Sequence, residues 1–251
     1  MDFIKSWNIF IQDFIHNEGY KDIFDGLANT LKIAFFGLII GIIIGTFIAV
    51  IKVAPKYHLF TKILDKICTI YTEFFRGIPI VVLLLIGWFV IVLPLSKGSA
   101  DKITFCIIIF GLNSGAYVSE IMRGGLNSVD KGQMEAGRAL GLTYTTTMLK
   151  FIIPQAAKNI VPTLGNELIT LVKETSVIYM IGGHDLAYIF KSAADNNYNY
   201  LVPYLVMGFI YLVIVIVLSV IIKLIERYFT KSDRRKSGGA KNGKRRKAST
   251  K

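Results

Sequence analysis

A lipid bilayer core ~30 Å thick is crossed by about 20 apolar residues of helix, and five stretches of this 251-residue chain approach that length. They are Leu27–Ile51, Ile78–Leu95, Ile103–Ile121, Ala156–Ile181 and Leu201–Ile225, the fourth more polar than the rest. Only 18% of residues are charged and 53% are apolar, whereas soluble domains carry about 25% charged residues. A water-surrounded globule and a disordered chain are both excluded by this balance. The first stretch begins too late and lacks the basic leader of a secretory signal. The expected fold is therefore an all-α polytopic membrane protein with about five transmembrane helices.

The formal net charge of +12 is concentrated at one end, because residues 231–251 hold ten Lys/Arg against the single Asp233. The basicity is an appendage, not a nucleic-acid-binding face. Lysines and arginines near helix ends mark the cytoplasmic side. Lys52, Lys56, Lys62 and Lys66 fall in one loop, and Arg123, Lys131, Arg138 and Lys150 in another. The alternate loops hold only Lys97 and Lys102, and Lys191. The N-terminus is thus expected outside and the C-terminus inside, in agreement with an odd number of crossings. Three segments follow: residues 1–20 as an N-terminal amphipathic segment, 21–230 as the transmembrane domain and 231–251 as a basic cytoplasmic tail.

Phe3, Trp7, Phe10, Ile11 and Phe14 recur at helical spacing. They suggest a helix lying on the outer membrane face, or else a frayed leader. Gly37, Gly41 and Gly45 place small residues on one face of the first crossing, a signal for close helix packing. Catalytic signatures fail. Cys68 and Cys106 have no CxxC partner, which argues against a disulfide scaffold or a cysteine metal site. His16, His58 and His184 are scattered. Residues 238–244 have phosphate-loop spacing, but Arg245 stands where Ser or Thr is required.

The fourth stretch is more informative. An ionised group at the centre of a membrane helix costs about 2.5–3.5 kcal/mol on the insertion scale, yet Glu167, Thr170 and Glu174 share one helical face there. Either the carboxylates are neutralised by basic groups such as Arg76, or Lys173 of a second subunit, or they line a cavity for a cationic substrate. Upstream, Glu73-Phe-Phe-Arg76-Gly77-Ile78-Pro79 reads as a broken helix, which exposes backbone groups to a ligand, or as a plain interfacial helix end. In the loop of about residues 124–154, Asp130 or Ser128 is placed to cap a helix that Gly141 ends. A second helix is expected over Thr143–Phe151, before Pro154. This helix–Gly–helix element suits docking of a soluble partner.

That loop resembles the coupling loop of the membrane-spanning permease subunits of ATP-binding-cassette importers for polar amino acids. Glu135, Ala136, Gly141 and Pro154 keep the family spacing, while Gly137, Phe151 and Ile153 depart from it. Arg76-Gly77-Ile78-Pro79, the run Ala116–Gly125, Asn166-Glu167, Lys173 and Thr175-Ser176 are similar too. The resemblance implies a plasma-membrane permease, not an enzyme. Its partners would be a cytoplasmic ATPase gripping Glu135, Ala136, Gly137, Gly141 and Pro154, an extracellular binding protein, and a second permease subunit, identical or related. ATP would be used by the partner, and this chain would bind no cofactor. Two carboxylates on one face favour a cationic amino acid at Glu167, Thr170 and Glu174, with Arg76, Gly77 and Pro79 receiving its α-carboxylate; glutamine or another polar amino acid is the alternative.

Overall fold

The structure is a computed structural model that describes residues 3–16, 18–54 and 57–248. It describes their side chains except those of Phe3, Asp13, Ile15, His16, Asn197 and all residues beyond Arg227. The described residues form helices and turns, with no strand among them.

Helix α1 (Phe3–His16) leads into α2 (Gly19–Val53). Helix α3 (Leu59–Gly77) is followed by α4 (Ile80–Leu85), which continues through π-helical turns into α5 (Leu93–Ser96). Next come α6 (Lys102–Asn127), the short α7 (Gly132–Ala139) and α8 (Tyr144–Thr147). A π-helical turn joins α8 to α9 (Ile153–Glu174), and 3-10 turns Thr175–Ile181 extend α9. Helices α10 (Leu186–Asn197) and α11 (Leu201–Ala248) complete the chain. Pro203 lies in the first turn of α11, where its missing N–H breaks no helical bond.

Helices α2, α6 and residues Leu201–Arg227 of α11 are long and apolar enough to cross a membrane. The pair α3 and Ile80–Ser96, bent by 100° at Ile78-Pro79, is a fourth candidate if it counts as one span. The expected crossing at 156–181 does not stand among them. Its helix carries Pro162 internally and tightens into 3-10 turns after Glu174, and Asn166, Glu167, Thr170 and Glu174 lower its apolarity.

The chain divides into two compact units, Met1–Arg123 with Glu167–Val215, and Gly124–Asn166 with Ile216–Lys251. In the first, α2 and α6 pack through small residues from both sides. A Cβ on Gly41 would lie 2.7 Å from Ser114 Oγ, and one on Gly45 would lie 2.8 Å from the Ser119 backbone nitrogen. Gly111 and Gly115 receive Ile40 and Ile44 in return. With little hydrophobic force between helices in lipid, such close approach supplies the attraction. The glycine stripe thus works within this one chain.

Helix α1 is a formed helix and not a frayed leader. Phe10 joins a cluster with Leu186, Phe190 and Val202, so part of its apolar face packs on α10 and α11 instead of on lipid. Asn199 fastens this arrangement by donating to the Ser6 carbonyl at 2.9 Å. Helix α10 was not anticipated. Asp185 caps it, accepting from the N–H groups of Ala187 and Tyr188. Thr30 accepts from the Leu186 N–H at 3.1 Å, and Asn29 donates to the His184 carbonyl at 2.8 Å. The polar residues that interrupt the start of the first crossing are therefore spent on this turn.

The second unit is tied by Asn159 donating to Ser128 Oγ at 2.8 Å and by the close seating of Gly125 on Ile160 and Gly165 on Ile222. One expectation fails here: the helix begun after Thr143 passes through Pro154 instead of halting before it. Proline cannot donate to the carbonyl of residue 150. The chain accommodates this with the π-helical turn Met148–Ile152, in which the Ile153 N–H bonds back to Met148. A wider turn of this kind absorbs the mismatch without ending the helix.

Candidate functional site

Glu167 stands on α9 in the first unit and accepts a hydrogen bond from Ser114 Oγ of α6 at 2.9 Å. Ser114 is fully buried, seated beside Gly41 of α2. Glu174 follows seven residues later, ~10.5 Å along the same face of the helix, with Thr170 between. Neither carboxylate has an ion-pair partner among the described residues. Arg76 does not serve them; its guanidinium lies 5.7 Å from the Tyr117 ring centroid. Ser114 and Tyr117 are one turn apart on α6, so Glu167 and Arg76 anchor on neighbouring positions of one helix.

The break at Ile78-Pro79 arises from local chemistry. Pro79 has no N–H to continue α3 and disfavours helical geometry at the residue before it; Ile78 is extended at φ −106° and ψ 129°. The Ile78 N–H still closes on Phe74, and Pro79 restarts the helix by accepting from Val82 and Leu83. A Cβ on Gly77 would meet open space. Tyr71, donating to the Leu112 carbonyl at 2.6 Å, holds this end of α3 against α6. Helix α4 in turn packs against the 3-10 turns that begin after Glu174. The bend and the acidic face of α9 are thus neighbouring parts of the first unit, with Thr170 exposed between the two carboxylates.

In the second unit, Gly141 takes φ +78°. Its N–H bonds to the Arg138 carbonyl and that of Leu142 to Gly137. These are the two bonds of a Schellman turn, so Gly141 ends α7 as its position foretold. Asp130 does not cap the helix formally, but accepts from the Gly132 N–H at its start. Thr143 caps α8, accepting from the Thr146 N–H at 3.2 Å. Gly137 is buried against Thr147, whose Cγ2 would lie 2.5 Å from an added Cβ, so α7 and α8 are clamped together there. Glu135, Ala136 and Leu140 are left exposed, Leu140 by 80%, and Pro154 is exposed too. An exposed apolar tip on a rigid turn is a ready contact for another protein.

Residues 37–231 match the family described as binding-protein-dependent transport system inner membrane component. This chain belongs to that family. It is similar to the arginine transport system permease protein ArtQ of Bacillus subtilis, with 42% identity over 84% of this chain and 94% of ArtQ. It is also similar to the putative glutamine transport system permease protein GlnP of Rickettsia typhi, with 39% identity over 82% of this chain and 91% of GlnP. Among solved structures, that of an amino acid ABC transporter with histidines covers 91% of this chain and 99% of its own, with TM-score 0.78 and 34% identity. The inward-facing MetNI methionine transporter, 21% identical with TM-score 0.60, shares the fold.

The chain is therefore an amino acid permease of the ATP-binding-cassette importer class, a helical membrane protein and not itself an ATPase. Membership implies an ATPase and a binding protein as partners. One polar cluster escaped the sequence reading. Lys52 donates to Thr72 Oγ1 at 3.1 Å and to Glu120 Oε1 at 3.2 Å, and Arg123 also pairs with Glu120. It ties α2, α3 and α6 together. Lys52 looked like a topology marker, and Glu120 sits too far from it in sequence for the pairing to be read.

Proposed function

We propose that the chain imports a cationic amino acid, arginine foremost, using ATP spent by its partner. Glu167, Thr170 and Glu174 attract the charged side chain, and Arg76 with the backbone opened at Gly77–Pro79 receives the α-carboxylate. One observation carries this reading. Glu167 accepts from the Ser114 hydroxyl, and neither it nor Glu174 has an ion pair among the described residues, which supports a cationic ligand between them. Membrane-depth carboxylates without a partner are costly and persist where they bind something. The similarity to ArtQ supports the same choice.

The chain crosses the membrane five times, with its N-terminus outside; the fourth crossing is the Pro-bearing helix. Two permease subunits, identical or related, enclose the path. An extracellular binding protein delivers the amino acid. The ATPase grips Glu135, Ala136 and Gly137, with Gly141 and Pro154 fixing the angles of the docking element. The chain itself binds no cofactor. The side chains of the basic tail, residues 231–251, lie outside those described.

The similarity to GlnP supports glutamine as the alternative substrate. Uptake of radiolabelled arginine and glutamine into proteoliposomes separates the two. Glu174→Gln is expected to depress arginine uptake at least tenfold, the loss of one charge-assisted contact. Equal retention of both substrates by the variant would end the proposal.

A further inference from the structure

In the first unit, α1, the start of α2 and α10 border an open cavity of about 380 Å³, a volume within the ~300–1,000 Å³ of small-molecule sites. It lies on elements other than those carrying Glu167, Glu174 and the Pro79 bend. Phe10, Phe14, His184, Tyr188 and Phe190 bring rings to its walls. Phe10 stacks on Phe14 at 6.0 Å between centroids, and Tyr188 stacks on His184 at 4.3 Å. Among its described lining residues there is no lysine or arginine, and Asp22 is the one acidic residue. The adjacent cation, Lys21, is already paired with Glu18, and Asp22 has no ion pair among the described residues. Phe14, Tyr188 and an exposed carboxylate with no ion pair among the described residues therefore border one cavity. Ring faces and a carboxylate attract the same kind of group, an ammonium or guanidinium.

We propose that this cavity is an accessory site for an organic cation on an apolar stem. The cation rests against the Phe14 and Tyr188 rings and pairs with Asp22. Because α1 forms one wall, occupancy draws α1 onto α10. Two sources share this chemistry, a free amine and the amine headgroup of a membrane lipid. Trp7 and Ile4, both exposed on α1, keep the lipid source within reach.

The test uses the purified permease with its ATPase partner. Calorimetric titration with agmatine, a guanidinium without an α-carboxylate, reads the free-amine source. Native mass spectrometry after extraction from phosphatidylethanolamine or phosphatidylglycerol nanodiscs reads the lipid source. Titrations in the Glu174→Gln background separate this cavity from the transport path. At least one probe is expected to bind. Asp22→Asn should weaken it about tenfold or more and Asp22→Glu should largely restore it, with assembly unchanged because Asp22 is exposed. Agmatine binding alone identifies a free amine, and selective retention of phosphatidylethanolamine identifies a lipid. Binding unchanged in Asp22→Asn, or no binding of either probe, would overturn the proposal.

Discussion

Asp185 shows how one residue couples helix capping to the burial of a charge. It is fully buried, and burial pushes its carboxyl up to about 6 from an ordinary 3.8, against the backbone hydrogen bonds from Tyr188 and Ala187 that pull it down. A raised folded-state value means that protonation favours the folded form. Its stabilising contribution is therefore present below pH 3.8 and is lost as pH rises through about 6. Asp185→Asn keeps a cap acceptor and removes the buried charge; we expect its apparent Tm to match or exceed wild type at pH 7.5 and to lose that advantage at pH 4.5. Asp185→Ala removes the cap and should cost about 0.5–2 kcal/mol at either pH. Thermal unfolding in detergent at the two pH values reads both outcomes, and an unchanged Asn/wild-type difference would refute the assignment. Lys52 offers a second residue-level check. Its side chain is only 12% exposed, and Lys52→Met leaves Glu120 with Arg123 alone. A loss of about 1–3 kcal/mol is expected, below the 3–5 kcal/mol of a fully buried pair.

At the level of helices, glycine substitutions separate tight packing from open space. A Cβ at Gly45 would press on Val118 and on backbone at Ser119, whereas one at Gly77 meets nothing. Gly45→Ala should destabilise by about 1–3 kcal/mol, and Gly77→Ala should leave the apparent Tm within measurement error. Equal effects would contradict the α2–α6 packing. The glycine stripe, the break at Pro79 and the Gly141 turn were all legible from sequence, because each follows from local backbone chemistry. Helix α10 was not, since the Leu186 N–H at its start is met by the Thr30 hydroxyl 156 positions away, a partner only the fold supplies. Pro154 misled for a related reason: proline removes one bond, but whether the helix stops depends on a π-turn that sequence does not announce. The acidic face of α9 was readable from spacing, whereas the Ser114 hydroxyl that meets it lies on another helix.

For the whole molecule, function depends on transmitting motion from an ATPase to a path through the membrane. Gly141 is the most exacting position in the docking element, because its φ of +78° suits glycine and little else. Gly141→Asp is expected to reduce co-purification of the ATPase and ATP-driven uptake together, while Gly141→Asn, better tolerated in the left-handed region, should retain more of both. Undiminished co-purification in Gly141→Asp would count against that role. A nucleotide-driven importer must also stop when vanadate traps its ATPase, whereas a channel would not.

The most direct measurement is ATP hydrolysis by the reconstituted permease, ATPase and binding protein across a panel of amino acids. Stimulation by arginine above glutamine, collapsing toward the glutamine level in Glu174→Gln, is the predicted result. Glutamine as the stronger stimulant, or an arginine response indifferent to Glu174, would contradict the claim that unpaired carboxylates choose the substrate.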